Sequence, residues 1–335
     1  MSALIAHNGV SRLHLGLRTP LLIARRLVLS LLVLLVVSIA IFAFVHLAPG
    51  GPEQAIAGEF ASPAQLAAVR AHYHLDDPLW TQYAGYLGDL VHGRFGTSLL
   101  SHEPVLVAVR GAAGVTVPLM LMSWIVSVLL GTALGILAAV KRGTAIDRAV
   151  VAATTVGAST PLFAMGVVIT WLFGIRFPLF PVVGSGDGGL DRLTHLVLPA
   201  CTIGCLMVAS VTRVARVSSL QVLDEDHVVF ARSRGLSRKY LLFQEILRNV
   251  STQLVTEAGA MLVLLISGQI VVEAVFNLDG IGTLLTDAIA NRDIPLIQGI
   301  TLLIAAFIVL VNMITDGVVL MLDPRLRKLG VKGRG

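Results

Sequence analysis

The chain has 335 residues, of which 56% are hydrophobic and 13% are charged, with 25 Lys and Arg against 20 Asp and Glu. A soluble domain carries about 25% charged residues and about 45–50% apolar ones. The shortage of charge excludes an ordinary soluble enzyme, a disordered chain and a collagen-like fibre, and it indicates a protein embedded in lipid.

Six apolar stretches are long enough to cross about 30 Å of hydrocarbon as helices. The first covers Leu27–Leu47, and we predict that it is retained because it is too long for the apolar core of a signal peptide. A strand alone in lipid would leave its backbone groups unpaired, so every stretch is predicted to be helical. The remaining five fall at about 115–140, 149–175, 195–212, 251–276 and 294–322.

The basic residues predict the orientation of these spans. Of the 25 Lys and Arg residues, 19 lie on the side of the spans that holds both termini and 6 lie on the other side. The positive-inside rule therefore places both termini in the cytoplasm. An even number of spans is consistent with this, because it puts both termini on the same side. The predicted parts are a cytoplasmic N-tail (1–26), the first span (27–47), an extracellular helical segment (48–114), a five-helix core (115–322) with a cytoplasmic loop at 213–249, and a cytoplasmic C-tail (323–335).

The extracellular segment carries two helix-start signals. Ser62-Pro63-Ala64-Gln65 combines a capping serine, a proline at the first helical position and a glutamine that completes a capping box. Asp77-Pro78 predicts the start of a second helix, which carries Trp80, Tyr83 and Tyr86. These helices are expected to anchor at the membrane surface, or to form a gate or a docking surface for an external partner.

The largest cytoplasmic connection has the pattern of a partner-binding loop. An acidic start is followed by the apolar run 228–231, then by Gly235 and by Ser237, which can cap a further helix. Two short helices are therefore predicted to meet at Gly235, where a sharp bend costs little. An apolar patch with charges around it favours a protein partner. A loop folded back on its own helices is the alternative.

Several kinds of chemistry are missing from the sequence. No G-x-x-x-x-G-K-[ST] or H-E-x-x-H motif occurs, which argues against ATP binding through a P-loop and against a zinc protease. Three acidic residues fall in the spans. Glu273 and Asp316 lie near span ends and are expected to reach water. For Glu257, pore lining, a helix contact and snorkelling all stay open.

Four motifs together resemble one known family. The run Asp226–Ser237, followed by Leu247-Arg248-Asn249, resembles the "EAA" loop of bacterial ABC importer permeases, and more narrowly that of the dipeptide/oligopeptide/nickel group. Matching stretches occur at 75–98, at 272–282 with 292–299, and at 322–327. The resemblance covers nearly everything from Leu27 to Lys328. The chain departs from the Glu-Ala-Ala pattern, where it has Val229, Phe230 and Ala231.

The resemblance implies an all-α membrane protein with the six-helix type I ABC importer permease (MetI-like) fold, in the bacterial cytoplasmic membrane. It implies the first of two permeases, which pairs with a second, homologous permease. Two cytoplasmic ATPases would bind ATP and Mg, so that this chain holds no cofactor and no nucleic acid and is not itself an enzyme. An extracellular or periplasmic binding protein would deliver the solute, with short peptides, nickel chelates, haem and sugars all left open.

The resemblance, together with the polar residues at lipid depth and the pattern of the loop, predicts two sets of site residues. The 224–237 loop would couple to an ATPase, with Phe230 as the apolar knob and a bend at Gly235 that needs positive φ. The translocation path would run between the two permeases, with candidates Ser159, Thr160, Glu257 and Gln269. The rival reading is a proton-coupled secondary transporter that uses Glu257 or Asp316 as its relay. The coupling residues are Asp226, Val229, Phe230, Ala231, Arg232, Arg234, Gly235 and Leu236.

Overall fold

The computed structural model describes residues 18–47, 51–58, 61–72, 74–235 and 246–322. The elements of these ranges are helices joined by turns. The first four are α1 (Arg18–Leu47), α2 (Gly51–Ala57), α3 (Pro63–His72) and α4 (Leu79–Val91). The next five are α5 (Val105–Val140), α6 (Ala145–Ser159), α7 (Leu162–Ile169, continued by π-helical turns Thr170–Arg176), α8 (Gly189–Leu223) and α9 (Asp226–Ser233). The last three are α10 (Arg248–Phe276), α11 (Ile281–Ala290) and α12 (Ile294–Leu322).

The six predicted spans all correspond to helices. Within the described ranges, five single helices are long and apolar enough to cross a membrane: α1, α5, α8, α10 and α12. The helices extend beyond the apolar stretches, because a helix does not need to end where the lipid ends. The predicted span at 195–212, for example, is the middle of the 35-residue helix α8.

The third predicted span is wrong in one respect, because it is not one helix. The axes of α6 and α7 differ by 110° at the short break between Ser159 and Leu162. The cause is Pro161, which disfavours helical geometry at the residue before it. Thr160 accordingly has φ −81° and ψ 128°, which is extended backbone.

The arrangement of α5 and α8 shows that this bent pair crosses the membrane. The two helices are parallel: Gly114 lies beside Arg192, Gly131 beside Val211 and Gly135 beside Ala215. Two successive parallel spans require the chain between them to return to the side from which it started. The segment α6–α7 is that connection, so it forms a span with a sharp bend.

Small residues bring α5 and α8 together. A Cβ atom added at Gly135 would stand 2.5 Å from the Ala215 Cβ and 2.6 Å from the Thr212 carbonyl oxygen. One added at Gly131 would stand 2.5 Å from the Val211 Cβ. Glycine at such positions lets two backbones approach closely, which is how helices associate where the surrounding lipid is as apolar as the side chains.

The predicted capping box at the start of α3 is confirmed. The Ser62 N–H donates to Gln65 Oε1 (2.8 Å), and the Gln65 N–H donates to Ser62 Oγ (3.3 Å). Arg70 on α3 pairs with Glu53 on α2. The pKa of the Glu53 carboxyl lies below its ordinary value because of a hydrogen bond from its own backbone and because of the nearby Arg70.

Candidate coupling segment and translocation path

The helix α9 is held against the bundle by one face and exposes the other. Val228 is fully buried and belongs to a cluster with Val222 of α8, with Ile246 just before α10 and with Val250 in the first turn of α10. Phe230, two residues later, is 62% exposed. A large aromatic ring therefore projects from a short helix that is itself fixed to the spans.

Polar groups surround the exposed ring at the end of α9. The Arg234 guanidinium lies 5.7 Å from the centre of the Phe230 ring, and the Ser233 hydroxyl donates to the Phe230 carbonyl (2.8 Å). Asp226 is exposed at the start of the helix. Gly235 has φ +74°, which agrees with the predicted bend, and an added Cβ would meet nothing within 4 Å. Backbone conformation, rather than space, therefore favours glycine there.

The other predicted coupling residues are placed by their backbone alone. Val229, Ala231 and Arg232 are on α9. Leu236 lies outside the described residues, as does the further helix predicted to be capped by Ser237. The next described helix, α10, begins at Arg248.

Two ion pairs fix the end of α8 from which α9 follows. Arg216 of α8 binds Asp147 of α6 through two hydrogen bonds, from Nε to Oδ1 (2.7 Å) and from Nη2 to Oδ2 (3.0 Å). Asp147 is 5% exposed and also accepts from the Gly143 N–H (3.0 Å). Arg142 pairs with Asp224 at 3.2 Å, just before α9. Neither pair could be predicted from the sequence pattern, since the partners are far apart along the chain.

The four candidate path residues do not form one cluster. Ser159 is exposed and Thr160 is half-buried, both at the bend between α6 and α7. Glu257 is half-buried and accepts a hydrogen bond from Ser210 of α8. Of the three roles left open for Glu257, the structure therefore shows a helix contact. Gln269 lies three turns further along α10, about 18 Å away by helix rise.

Gln269 occupies a buried position between α10 and α5. Its side chain is 2% exposed, and Nε2 donates to the Thr116 carbonyl oxygen (3.2 Å). With Thr116 it lines a largely apolar cavity of about 120 Å³. The wall of this cavity also includes Gly282 of α11 and Phe307 of α12.

The expectation that Glu273 reaches water is wrong, because its side chain is fully buried. Thr116 donates to Oε1 (2.7 Å), while the Gly282 and Thr283 N–H groups donate to Oε2 at 2.7 and 3.2 Å. Thr116 Oγ1 in turn accepts from the Ile281 N–H (2.7 Å). Thr116 of α5 and Glu273 of α10 thus accept hydrogen bonds from the first N–H groups of α11, which have no partner within that helix. In most helices a single capping residue has this role.

This network explains why the 272–282 motif contains two glycines. A Cβ at Gly280 would stand 2.2 Å from the Glu273 carboxyl, and one at Gly282 would stand 2.8 Å from its Oε2. Neither distance occurs between real non-bonded atoms. The motif therefore encodes the close approach of a buried carboxylate to a helix N-terminus.

A second buried carboxylate joins two other motifs of the resemblance. Asp293 is fully buried and accepts from the Ser98 hydroxyl (2.5 Å), the Leu99 N–H (3.0 Å) and the Leu296 N–H (3.2 Å). It caps α12 and holds the 93–98 stretch against that helix. Asp316, at the other end of α12, pairs with Arg26 of α1, and both side chains remain partly exposed.

The sequence and the fold both match known transport proteins. The family model described as the binding-protein-dependent transport system inner membrane component matches residues 131–328, and its N-terminal counterpart matches residues 20–108.

Curated relatives are similar over nearly their whole length. A probable peptide ABC transporter permease of Sinorhizobium fredii is 36% identical over 91% of this chain and 98% of its own. The glutathione transport system permease protein GsiC of Salmonella typhimurium is 36% identical, and the dipeptide transport system permease protein DppB of Escherichia coli is 34% identical, with the same shares covered.

The fold has a solved counterpart. A chain of the MetNI methionine ABC transporter, solved in inward-facing conformations, aligns with a TM-score of 0.54 at 17% identity, over 65% of this chain and 97% of that chain. The predicted type I importer fold is thereby confirmed.

Proposed function

The chain belongs to the family of binding-protein-dependent transport system inner membrane components, and from this premise we propose that it forms one half of the translocation path of an ABC importer for short peptides. The second half is a homologous permease. Two cytoplasmic ATPases bind ATP and Mg, and a binding protein outside the membrane delivers the peptide. This chain is a membrane subunit, and the ATP hydrolysis takes place on its partners.

The observation that carries the proposal is the exposed Phe230 on a helix fixed to the spans. An aromatic side chain that is 62% exposed, beside Arg234, has the composition of an interface anchor. Because Val228 on the same helix is buried against α8 and α10, a push on Phe230 moves the bundle. A freely hanging loop would absorb that push.

Peptides are the proposed substrate class because of the relatives. Their names include peptide, dipeptide and glutathione transport, and glutathione is itself a tripeptide.

The proposed orientation has both termini and α9 in the cytoplasm, as the distribution of Lys and Arg indicates. Cysteine labelling tests it: positions near Ala64 and Asp187 should react from outside, and positions near Thr144 and Ser237 only after permeabilisation. Labelling of Ser237 in intact cells would contradict both the orientation and the coupling role.

The coupling role is tested by Phe230→Ala in the whole complex. We expect co-purification of the ATPases to weaken by about thirtyfold in affinity, the loss of about 2 kcal/mol that truncation of a buried aromatic anchor causes. Leu100→Ala is the matched control, since Leu100 is 57% exposed but lies outside the coupling segment.

The Gly235→Val variant distinguishes binding of the ATPase from transmission of its movement to the spans. A side chain that resists φ +74° should leave ATPase binding intact and reduce uptake of a labelled dipeptide. Normal assembly and uptake in Phe230→Ala would show that Phe230 is not the anchor. Uptake of sugars but not of peptides by the wild-type complex would contradict the substrate class.

A further inference from the structure

The helix α4 is docked on the side of the span α1. The Tyr83 and Ser38 hydroxyls are 2.8 Å apart, and His46 Nε2 lies 3.0 Å from Gln82 Oε1. The Phe42 ring has its centre 5.3 Å from that of Tyr83. Contacts over two turns of α1 therefore fix both the position and the rotation of α4.

These contacts place α4 at the depth of the membrane boundary. Ser38 precedes the end of α1 at Leu47 by nine residues, which is about 13 Å of helix. The start of α12 lies at the same level, because Gln298 donates to the Ile41 carbonyl oxygen (3.4 Å). The helix α4 thus lies beside the last turns of a span and does not rise above its end.

One flank of α4 is apolar and exposed. Trp80 and Val91 lie three helical turns apart on this flank and are 74% and 85% exposed, and Leu79 at the start of the helix is 61% exposed. The one ionisable carboxylate of the helix, Asp89, is paired with Arg94 beyond its C-terminal end (2.8 Å).

We propose that α4 is an interfacial helix whose exposed flank, Trp80 and Val91 foremost, is inserted among the lipids of the leaflet at the Leu47 end of α1. A helix with an apolar face lies in the plane of the interface, with that face buried about 5–10 Å into the headgroup and acyl boundary. Tryptophan is enriched at this depth, where its ring is apolar and its N–H finds water or headgroups.

Lipid is the occupant that the position favours over an external protein. A binding protein would reach residues that rise above the spans, whereas this face lies level with a span whose own surface faces lipid. The proposal depends only on the placement of the chain in a membrane, and it is independent of the peptide substrate and of the coupling segment.

Photocrosslinking with p-benzoylphenylalanine at position 80 tests the occupant. The full chain, expressed with its partner subunits, is irradiated in native membrane vesicles, and the α4 peptide is analysed by mass spectrometry. Two matched positions serve as controls. Leu32, 54% exposed on α1, is the lipid-facing control, and Ala67, exposed one turn before Arg70 on α3, is the water-facing control.

We expect phospholipid adducts at positions 80 and 32 in similar yield, and about tenfold less at position 67, as insertion into the acyl boundary requires. Adducts to a protein at position 80, or no adduct there while position 32 reacts, would overturn the proposal and leave the proposed function intact. Absence of lipid adducts at both positions would contradict the membrane placement on which both depend.

Discussion

The buried network around Glu273 yields a quantitative prediction. Glu273→Ala leaves the Thr116 hydroxyl and the Gly282 and Thr283 N–H groups without their acceptor. A buried donor without a partner costs about 1–3 kcal/mol. Because the neighbouring cavity of about 120 Å³ can admit water, we take the lower part of this range. The expected loss of stability is then about 3 kcal/mol.

The same network predicts that mutations at Glu273 and Thr116 are not additive. Thr116→Val removes one donor to Glu273 and the acceptor of the Ile281 N–H. The expected loss of stability is about 2 kcal/mol. In the double variant no Thr116 hydroxyl remains unpaired, so the total loss should fall short of the sum by about 1–2 kcal/mol. Glu273→Gln should cost less than the alanine variant, because its amide still offers one acceptor oxygen.

The measurement is thermal unfolding of the purified chain in lipid nanodiscs for the four members of the cycle. At an unfolding entropy of about 2.1 cal/mol/K per residue, the melting temperature of a 335-residue chain shifts by about 1–2 °C per kcal/mol, so Glu273→Ala should lower it by roughly 4 °C. Thr301→Val is the control, since Thr301 is half-buried and donates only to Ile297 of its own helix. Additivity within about 0.5 kcal/mol for Glu273 and Thr116, as at independent sites, would refute the network.

Three further predictions concern packing, charge and capping. Gly135→Ala should destabilise the chain by about 1–3 kcal/mol through overlap with α8, while Gly111→Ala, where the structure has open space, should be neutral or stabilising; urea unfolding would distinguish them. Asp147→Ala should cost about 2–3 kcal/mol, less than for a fully buried pair because Arg216 is partly exposed, and exchange of the two residues should recover part of the loss. Equal damage from the single variant and the exchange would contradict a specific pair. Ser62→Ala should speed amide hydrogen exchange in the first turn of α3, consistent with about 1 kcal/mol of lost capping, and unchanged exchange would contradict it.

Hydropathy was sufficient to predict the spans but not their shape. Four prolines lie in the apolar stretches. Pro295 stands in the first turn of α12, where proline is tolerated, and the structure treats the other three differently. Pro118 and Pro199 are inside the continuous helices α5 and α8, whereas Pro161 is at the 110° bend. The local sequence gives each the same steric conflict with the preceding turn. A proline in an apolar stretch therefore does not by itself tell from the sequence whether the helix bends there, as at Pro161, or continues.

The buried carboxylates show the same limit for the candidate sites. Glu273 was assigned to a span end that reaches water, because its position along the helix is known from sequence and its neighbours are not. Its partner Thr116 is 157 residues away along the chain. The glycines at 280 and 282 were a usable signal, since a required glycine indicates a close approach. The exposed Phe230, by contrast, depends on local pattern, and the sequence alone singled it out.

The placement of these contacts suggests how a push on α9 would reach the far side of the membrane. The helix α8 is continuous from Gly189 to Leu223, about 52 Å, so it moves as one body. The glycines 131 and 135 and the Arg216–Asp147 pair attach α5 and α6 to its α9 end. At its other end, α5 carries Thr116, which holds the N-terminus of α11 through Glu273. In the proposed mechanism, α5 and α8 therefore tilt together. The hydrogen bonds of the buried Glu273 network fix α11 to α5 and α10, so that α11 follows this tilt.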